Sequence, residues 1–183
     1  MGSDDLDRVA TLFASERTTS HCSCMAFCSS RREFALGWFG GGNTRRFAAM
    51  AARSQYPMGV LAFHADRVVG WCACGPRSRY AVTDTARNLM RGREPRDDAA
   101  TWFLPCLFVM NGYRGQGVTR TLARAAVDLA RREGATAIEG WPVAASVGRS
   151  ADAFVGREPV FADLGFTRVA RPTPERVIMR LEL

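Results

Sequence analysis

The segment Asn111-Gly112-Tyr113-Arg114-Gly115-Gln116-Gly117 carries the residues of this chain whose types and spacing best suit ligand binding. A glycine turn that opens a helix leaves several backbone N–H groups unpaired beside the positive end of the helix dipole, and such groups bind phosphate. Gly115 and Gly117 have no Cβ, so an anion can approach the main chain, and Arg114 and Arg120 can add charge-assisted donors at the rim. A turn of this kind can equally serve only to reverse the chain. Its spacing excludes two nucleotide motifs. A dinucleotide fingerprint needs Gly-x-Gly-x-x-Gly, whereas Thr119 and Arg120 follow Gly117, and a P-loop ends in Gly-Lys-Ser/Thr, whereas the chain has no lysine.

Glu139 is the next candidate. It interrupts the apolar run Thr136 to Trp141, where partial burial would make it a better proton acceptor and hence a general base; it could equally face outward and pair with an arginine. Glu33 and Glu158 fall on helical patterns whose solvent faces need charge anyway. The six cysteines are Cys22, Cys24, Cys28, Cys72, Cys74 and Cys106, and with His21 they supply enough ligands for a tetrahedral zinc site. The Cys-x-Cys spacing argues against one, because structural zinc sites usually have two to four intervening residues. Residues two apart share a strand face, so buried, reduced, metal-free thiols are expected.

These residues need elements to position them. The spacing of Leu6, Val9, Ala10, Leu12 and Phe13 predicts a helix from Asp4 to Ser15 behind an acidic start. The alternation from His21 to Phe27 predicts a strand, and Arg32 to Phe39 and Thr44 to Ser54 predict short helices around Gly40-Gly41-Gly42. Met58 to Phe63 and Val68 to Cys74 read as a β-hairpin, which Gly75-Pro76 stops. Arg77 to Arg96 reads as a loop-rich insertion facing solvent or substrate, with a short helix from Thr83 to Arg91. Ala100 to Val109 is a strand buried on both faces, and Val118 to Arg132 a strongly amphipathic helix capped by Gly134. Thr136 to Trp141 is a further strand, ended by Pro142. Pro142 to Arg157 is long for a plain connection and reads as a lid or as a surface loop. A short helix from Glu158 to Leu164 and an antiparallel pair, Phe166 to Ala170 with Arg176 to Leu183, close the chain. Trp38, Trp71, Trp102 and Trp141 read as core or pocket walls.

The whole of residues 1–183 reads as one domain. Apolar residues at 47% and charged residues at 23% exclude a disordered, collagen-like or coiled-coil chain. The longest apolar run, Ala99 to Met110, is too short to cross a bilayer, and the acidic start lacks a signal-peptide pattern, so a cytoplasmic protein with no membrane partner is expected. The net charge of +7 rests on 25 basic residues, all arginine, against 18 acidic ones. Guanidinium groups suit a polyanionic ligand; the arginines are scattered rather than gathered in a stripe, so nucleic acid is the less favoured partner.

Val109, Tyr113, Arg114-Gly115-Gln116-Gly117-Val118, the helix after them, Glu139 and Phe161-Ala162-Asp163-Leu164-Gly165-Phe166 together resemble the GNAT (GCN5-related N-acetyltransferase) superfamily. The resemblance covers about Trp102 to Leu183. It implies an α/β (α+β) fold with a mixed, mainly antiparallel central sheet and helices on both faces. It also implies an acetyl-CoA-dependent N-acetyltransferase that moves an acetyl group directly to a primary amine of a small molecule or protein. In that reading the main chain of Leu107, Phe108 and Val109 pairs with the pantetheine arm. The pyrophosphate sits on the N–H groups of Gly115, Gln116, Gly117, Val118, Thr119 and Arg120, with Arg114 in the signature's Arg/Gln position. Two residues depart from the pattern. Thr119 stands where Gly or Ala is usual, and Phe161 stands where a tyrosine usually protonates the departing thiolate. Phe cannot donate a proton, so either Ser146, Tyr113, a cysteine or water serves, or the thiolate leaves unaided. A noncatalytic acyl-CoA-binding module and a zinc- or nucleic-acid-binding domain are the alternative readings. Oligomeric state stays open, with a homodimer as one option.

Overall fold

The computed structural model describes residues 3–81, 100–147 and 153–183. Four helices come first: α1 (Ser3–Ala14), the single turn α2 (Met25–Cys28), α3 (Arg31–Leu36) and α4 (Gly42–Arg53). The strands are β1 (Gly59–His64), β2 (Arg67–Pro76), β3 (Thr101–Val109), β4 (Ala137–Gly140), β5 (Thr167–Thr173) and β6 (Arg176–Glu182). Helix α5 (Val118–Arg132) joins β3 to β4, and α6 (Glu158–Ala162) precedes β5. The six strands form one sheet in the order β1-β2-β3-β4-β6-β5, antiparallel except for the parallel pair β3 and β4. A parallel pair needs a crossover, and α5 supplies it.

Alternation along β2 and β3 sends side chains to two separate cores. Cys72, Cys74, Leu107 and Val109 pack with Leu122, Ala126 and Ala130 of α5. Trp71, Ala73, Cys106 and Phe108 pack on the other face with Val9, Leu12 and Phe13 of α1, Met25 of α2 and Phe47 of α4. A strand covered on both faces reads as one continuous apolar run, which is how β3 looked in sequence. Alanines at 123, 126 and 130 are fully buried and let α5 lie close to the sheet. A Cβ on Gly70 of β2 would come within 2.9 Å of Leu122 Cδ1 and 3.2 Å of Phe108 O, so the bare glycine eases the close approach of α5.

Four expectations are corrected. The predicted strand from His21 to Phe27 is a set of turns followed by α2, with Ser23 and Cys24 left-handed at φ 41° and 60°. Tertiary contacts hold them so: Ser23 Oγ and Thr44 Oγ1 are 2.9 Å apart, and Trp71 Nε1–H donates to Cys24 Sγ at 3.4 Å. β2 runs through Gly75-Pro76 instead of stopping before them. The head of the supposed solvent-facing insertion is buried, because Arg77 and Tyr80 are at most 1% exposed; the helix predicted over Thr83 to Arg91 lies outside the described residues. Trp38 is exposed while the other three tryptophans are buried. No helix among the described residues is long and apolar enough to cross a membrane.

Candidate functional site

β3 and β4 pair only from Thr101↔Ala137 to Leu104↔Gly140. The next residue of β3, Pro105, has no N–H with which to extend a ladder. β3 continues beside β2, whereas the chain after Gly140 takes other partners: Val143 N–H donates to Gly156 O at 3.0 Å, and Ala144 N–H to Glu175 O at 2.9 Å. The two parallel strands therefore part like a wedge. Met110 N–H donates to Val69 O at 3.0 Å, which places Phe108, two residues earlier in the antiparallel ladder, with its own polar groups toward β2. Leu107 and Val109 turn theirs toward the wedge. Of Leu107, Phe108 and Val109, the three residues expected along a pantetheine arm, Leu107 and Val109 are therefore the two with polar groups toward the wedge, and Val109 O already accepts from Arg114 Nε at 2.7 Å.

Phe161 fills the base of the wedge and is wholly buried. A Cβ on Gly140 would fall 2.2 Å from its Cε1, and one on Gly156 2.8 Å from its Cε2, so the ring occupies the space that these two glycines leave. Phe166 meets it edge to face, with ring centroids 5.1 Å apart. The segment expected to be a lid is anchored at both described ends: Val143 and Ala144 are bonded as above, and Phe154 lies 5.9 Å from Phe108, centroid to centroid. Residues 148–152 lie outside the described residues.

At the open end of the wedge stands the glycine turn. Gly115 and Gly117 are left-handed, with φ 78° and 83°, and a Cβ at either would meet nothing within 4 Å. Among the described residues, the N–H groups of Gly115, Gln116, Gly117, Val118 and Thr119 have no acceptor, so five donors point outward at the start of α5. Arg120 N–H, expected as a sixth, donates to Gly117 O at 3.0 Å. The two arginines at the rim are paired: Arg114 Nη2 bonds Glu16 Oε2 at 2.8 Å, and Arg120 meets Asp163.

Glu139 lies on the face of the sheet away from α5 and is 0% exposed. Arg180 Nη1 donates to its Oε1 at 3.1 Å, and Arg77 Nη1 stands 3.6 Å from its Oε2. This differs from the half-buried carboxylate expected of a base. With no exposed surface and a guanidinium group at each oxygen, Glu139 has the position of a structural ion-pair partner. Neither arginine stands out in sequence, because pairing between the turn Arg77–Arg79, β4 and β6 leaves no mark in local spacing. Glu158, read as a solvent-face charge, is buried: Ala145 N–H donates to its Oε2 at 2.8 Å, and Arg168 binds its Oε1. Burial alone would raise its carboxyl, but those two bonds and the charges of Arg168 and Arg171 outweigh it and hold the group below the usual carboxylate range.

All six cysteines are free thiols. The sheet divides them, with Cys72 and Cys74 packed on the α5 face and Cys24 and Cys106 on the other. Among the described residues no three His, Cys, Asp or Glu side chains come together as metal ligands. Burial pushes the Cys22 thiol up to about 11 and that of Cys74 to about 12.

Residues 25–156 match the family model described as "Acetyltransferase (GNAT) family". No curated protein matches the chain. Among solved structures, the chain resembles a ribosomal-protein-alanine N-acetyltransferase from Brucella melitensis at 17% identity and TM-score 0.59, covering 100% of this chain and 97% of that one. A GCN5-related N-acetyltransferase from Kribbella flavida gives 17% identity and TM-score 0.56, with coverage of 100% and 95%. The paia N-acetyltransferase of Thermoplasma acidophilum, solved with coenzyme A, gives 11% identity and TM-score 0.54, with coverage of 100% and 96%. These likenesses agree on the fold, and the family match spans well over half of the sequence, so the chain belongs to the acetyltransferase (GNAT) family.

Proposed function

We propose that the protein transfers the acetyl group of acetyl-CoA directly to an amine of a small molecule or a protein. The observation that carries this reading is the parting of β3 from β4 beside five unpaired N–H groups at the start of α5. An extended pantetheine arm would take β4's place along β3, bonding Leu107 and the Val109 N–H. Its pyrophosphate would lie on the N–H groups from Gly115 to Thr119. The paia structure, bound to coenzyme A, supports acetyl-CoA as the co-substrate here.

In the reaction the neutral amine nitrogen attacks the thioester carbonyl. A C–N bond forms, the C–S bond breaks, the amine loses a proton and the thiolate gains one. In this reading Glu139 acts as a positioning residue: it fixes Arg77 and Arg180 under the base of the wedge, and water carries the amine's proton away. Phe161 offers no proton to the thiolate, so water supplies that one too. The cytoplasm, where buried cysteines stay reduced, is the compartment this chemistry suits.

A second reading, a noncatalytic acyl-CoA-binding module, is favoured by Phe161 alone. Both are tested by calorimetric titration with acetyl-CoA and by free-thiol release against a panel of amines. The transferase reading expects saturable binding and thiol release matched by an acetylated product of +42 Da (one acetyl group in place of one hydrogen). Binding without turnover on any amine would leave the second reading, and absence of binding would remove both.

A further inference from the structure

Between α2, α3, α4 and the turn after β2 lies a cavity of about 470 Å³. Met25, Cys28 and Met50 give it an apolar side, and Arg46, Arg53, Arg79 and Glu33 give it a charged one. The charges do not balance. Among the described residues no carboxylate lies within ion-pair distance of any of the three arginines. Arg79 spends its donors on neutral oxygens: Pro57 O at 2.9 Å, Cys74 O at 3.0 Å, Ser54 Oγ at 2.8 Å and Tyr56 O at 3.1 Å. Arg46 bonds Glu33 O and Arg53 bonds Ala49 O, which leaves most N–H groups of both unused. The one carboxylate, Glu33, feels the charge of Arg46 but makes no ion pair with it, because its Oε2 accepts from Ser30 N–H at 2.9 Å and from the Ser30 hydroxyl at 2.7 Å.

Three guanidinium groups around one open cavity, with a single carboxylate tied into a helix cap, make a positively charged site with donors of Arg46 and Arg53 free to bind an anion in place of water. Guanidinium donors pair best with a carboxylate or a phosphate. The cavity also stands close to the wedge. Its wall residues Met25 and Cys28 pack in the cluster that holds Cys106 and Phe108 of β3, and Cys28 also packs against the cluster of Phe103 and Trp141 at the parting of the strands. We propose that this cavity binds the acid end, carboxylate or phosphate, of the acceptor whose amine is acetylated. The inference rests on the transferase reading for the word acceptor; the anion site itself does not.

The test uses protein with 13C-labelled methionine methyls, saturated with CoA so that the glycine turn is occupied. Titration with succinate and with inorganic phosphate should shift the Met25 and Met50 methyl signals saturably. The Arg46→Gln/Arg53→Gln double variant should lose those shifts while CoA affinity stays the same. The Arg46→Lys/Arg53→Lys variant, which keeps the charge, should retain part of them. In turnover, 4-aminobutyrate should exceed its neutral amide at least tenfold in kcat/KM, the difference lying in KM, and the Gln variant should erase that preference. Comparison with 2-aminoethyl phosphate shows which acid the site prefers. Silent methyls, or equal turnover of acid and amide, would overturn the proposal even where acetyl transfer is seen. Methyl shifts with no acetyl transfer to any amine would instead sink the transferase reading and leave an anion site standing.

Discussion

Phe161 departs from the acetyltransferase pattern, and Glu139 is buried between two arginines where a half-buried base was expected; each yields a test. Phe161 fills the space over Gly140 and Gly156 with a ring that has no hydroxyl. In Phe161→Tyr a phenol would stand at the base of the wedge and could protonate the departing thiolate, so thiol release should rise about tenfold, with CoA affinity unchanged. A folded variant with the parental rate would mean that protonation of the thiolate does not limit turnover. Glu139 lies between Arg77 and Arg180 with no exposed surface. Glu139→Gln keeps the shape but takes the buried carboxylate from Arg77 and leaves Arg180 with Glu182 alone, which should lower stability by about 3 kcal/mol. Thermal melts measure that loss. The rising limb of the rate against pH should persist in this variant if, as proposed, water and not the carboxylate takes the proton. A stable Glu139→Gln protein in which that limb vanishes would return Glu139 to the role of base.

At the scale of elements, the turn before α5 is the feature whose chemistry is most exposed to test. Gly117 is left-handed, and a side chain there meets open space. Asp and Asn tolerate the left-handed region and have nearly the same size, so Gly117→Asp and Gly117→Asn differ mainly in charge. If the turn holds a pyrophosphate, Asp should weaken CoA by at least tenfold more than Asn while both melt at similar temperatures, which titration calorimetry and thermal melts decide. This turn, α1, α4, α5 and the six strands are legible in sequence because a clear period lies beside a turn or cap, such as Gly117 before α5 and Gly134 after it, although β2 runs on through its expected stop at Gly75-Pro76. The stretch before α2 is not. Its alternating small residues mimic a strand, and only contacts with Thr44 and Trp71, far away in sequence, hold Ser23 and Cys24 left-handed. The site was legible to the same extent. Local donors such as Gly115 to Thr119 show in spacing, whereas the ion pairs of Glu139 and Glu158 join residues 10 to 62 positions apart and show only in three dimensions.

At the scale of the whole molecule, the carboxylate of Glu158 is a tie between separate segments that pH can cut. It joins three segments: its own helix α6, the chain beyond β4 through Ala145 N–H, and β5 through Arg168. Its folded carboxyl is held below the ordinary range, so it binds protons less readily when folded than when unfolded. The stability it contributes is therefore fully present above the ordinary carboxylate range and is lost as pH falls through that range toward the depressed folded value. Glu33, held low by its bonds to Ser30, adds a contribution of the same sign. Glu158→Gln keeps an acceptor for Ala145 N–H but removes the ion pair, which should cost about 2 kcal/mol at neutral pH, the range of a hydrogen bond to a charged group. For a chain of this size that is a fall in Tm of roughly 4–8 °C. Melts of parent and variant should converge as pH drops toward 3, because protonation then takes from the parent what the substitution took from the variant. The thiols provide the opposite control. Groups pushed up to about 11 and about 12, as Cys22 and Cys74 are, stay neutral across this window and add no slope of their own. Equal melting temperatures for parent and variant at pH 7 would show that α6 is held by Phe161 and its apolar neighbours alone, with the Glu158 bonds adding nothing to the closure of the wedge.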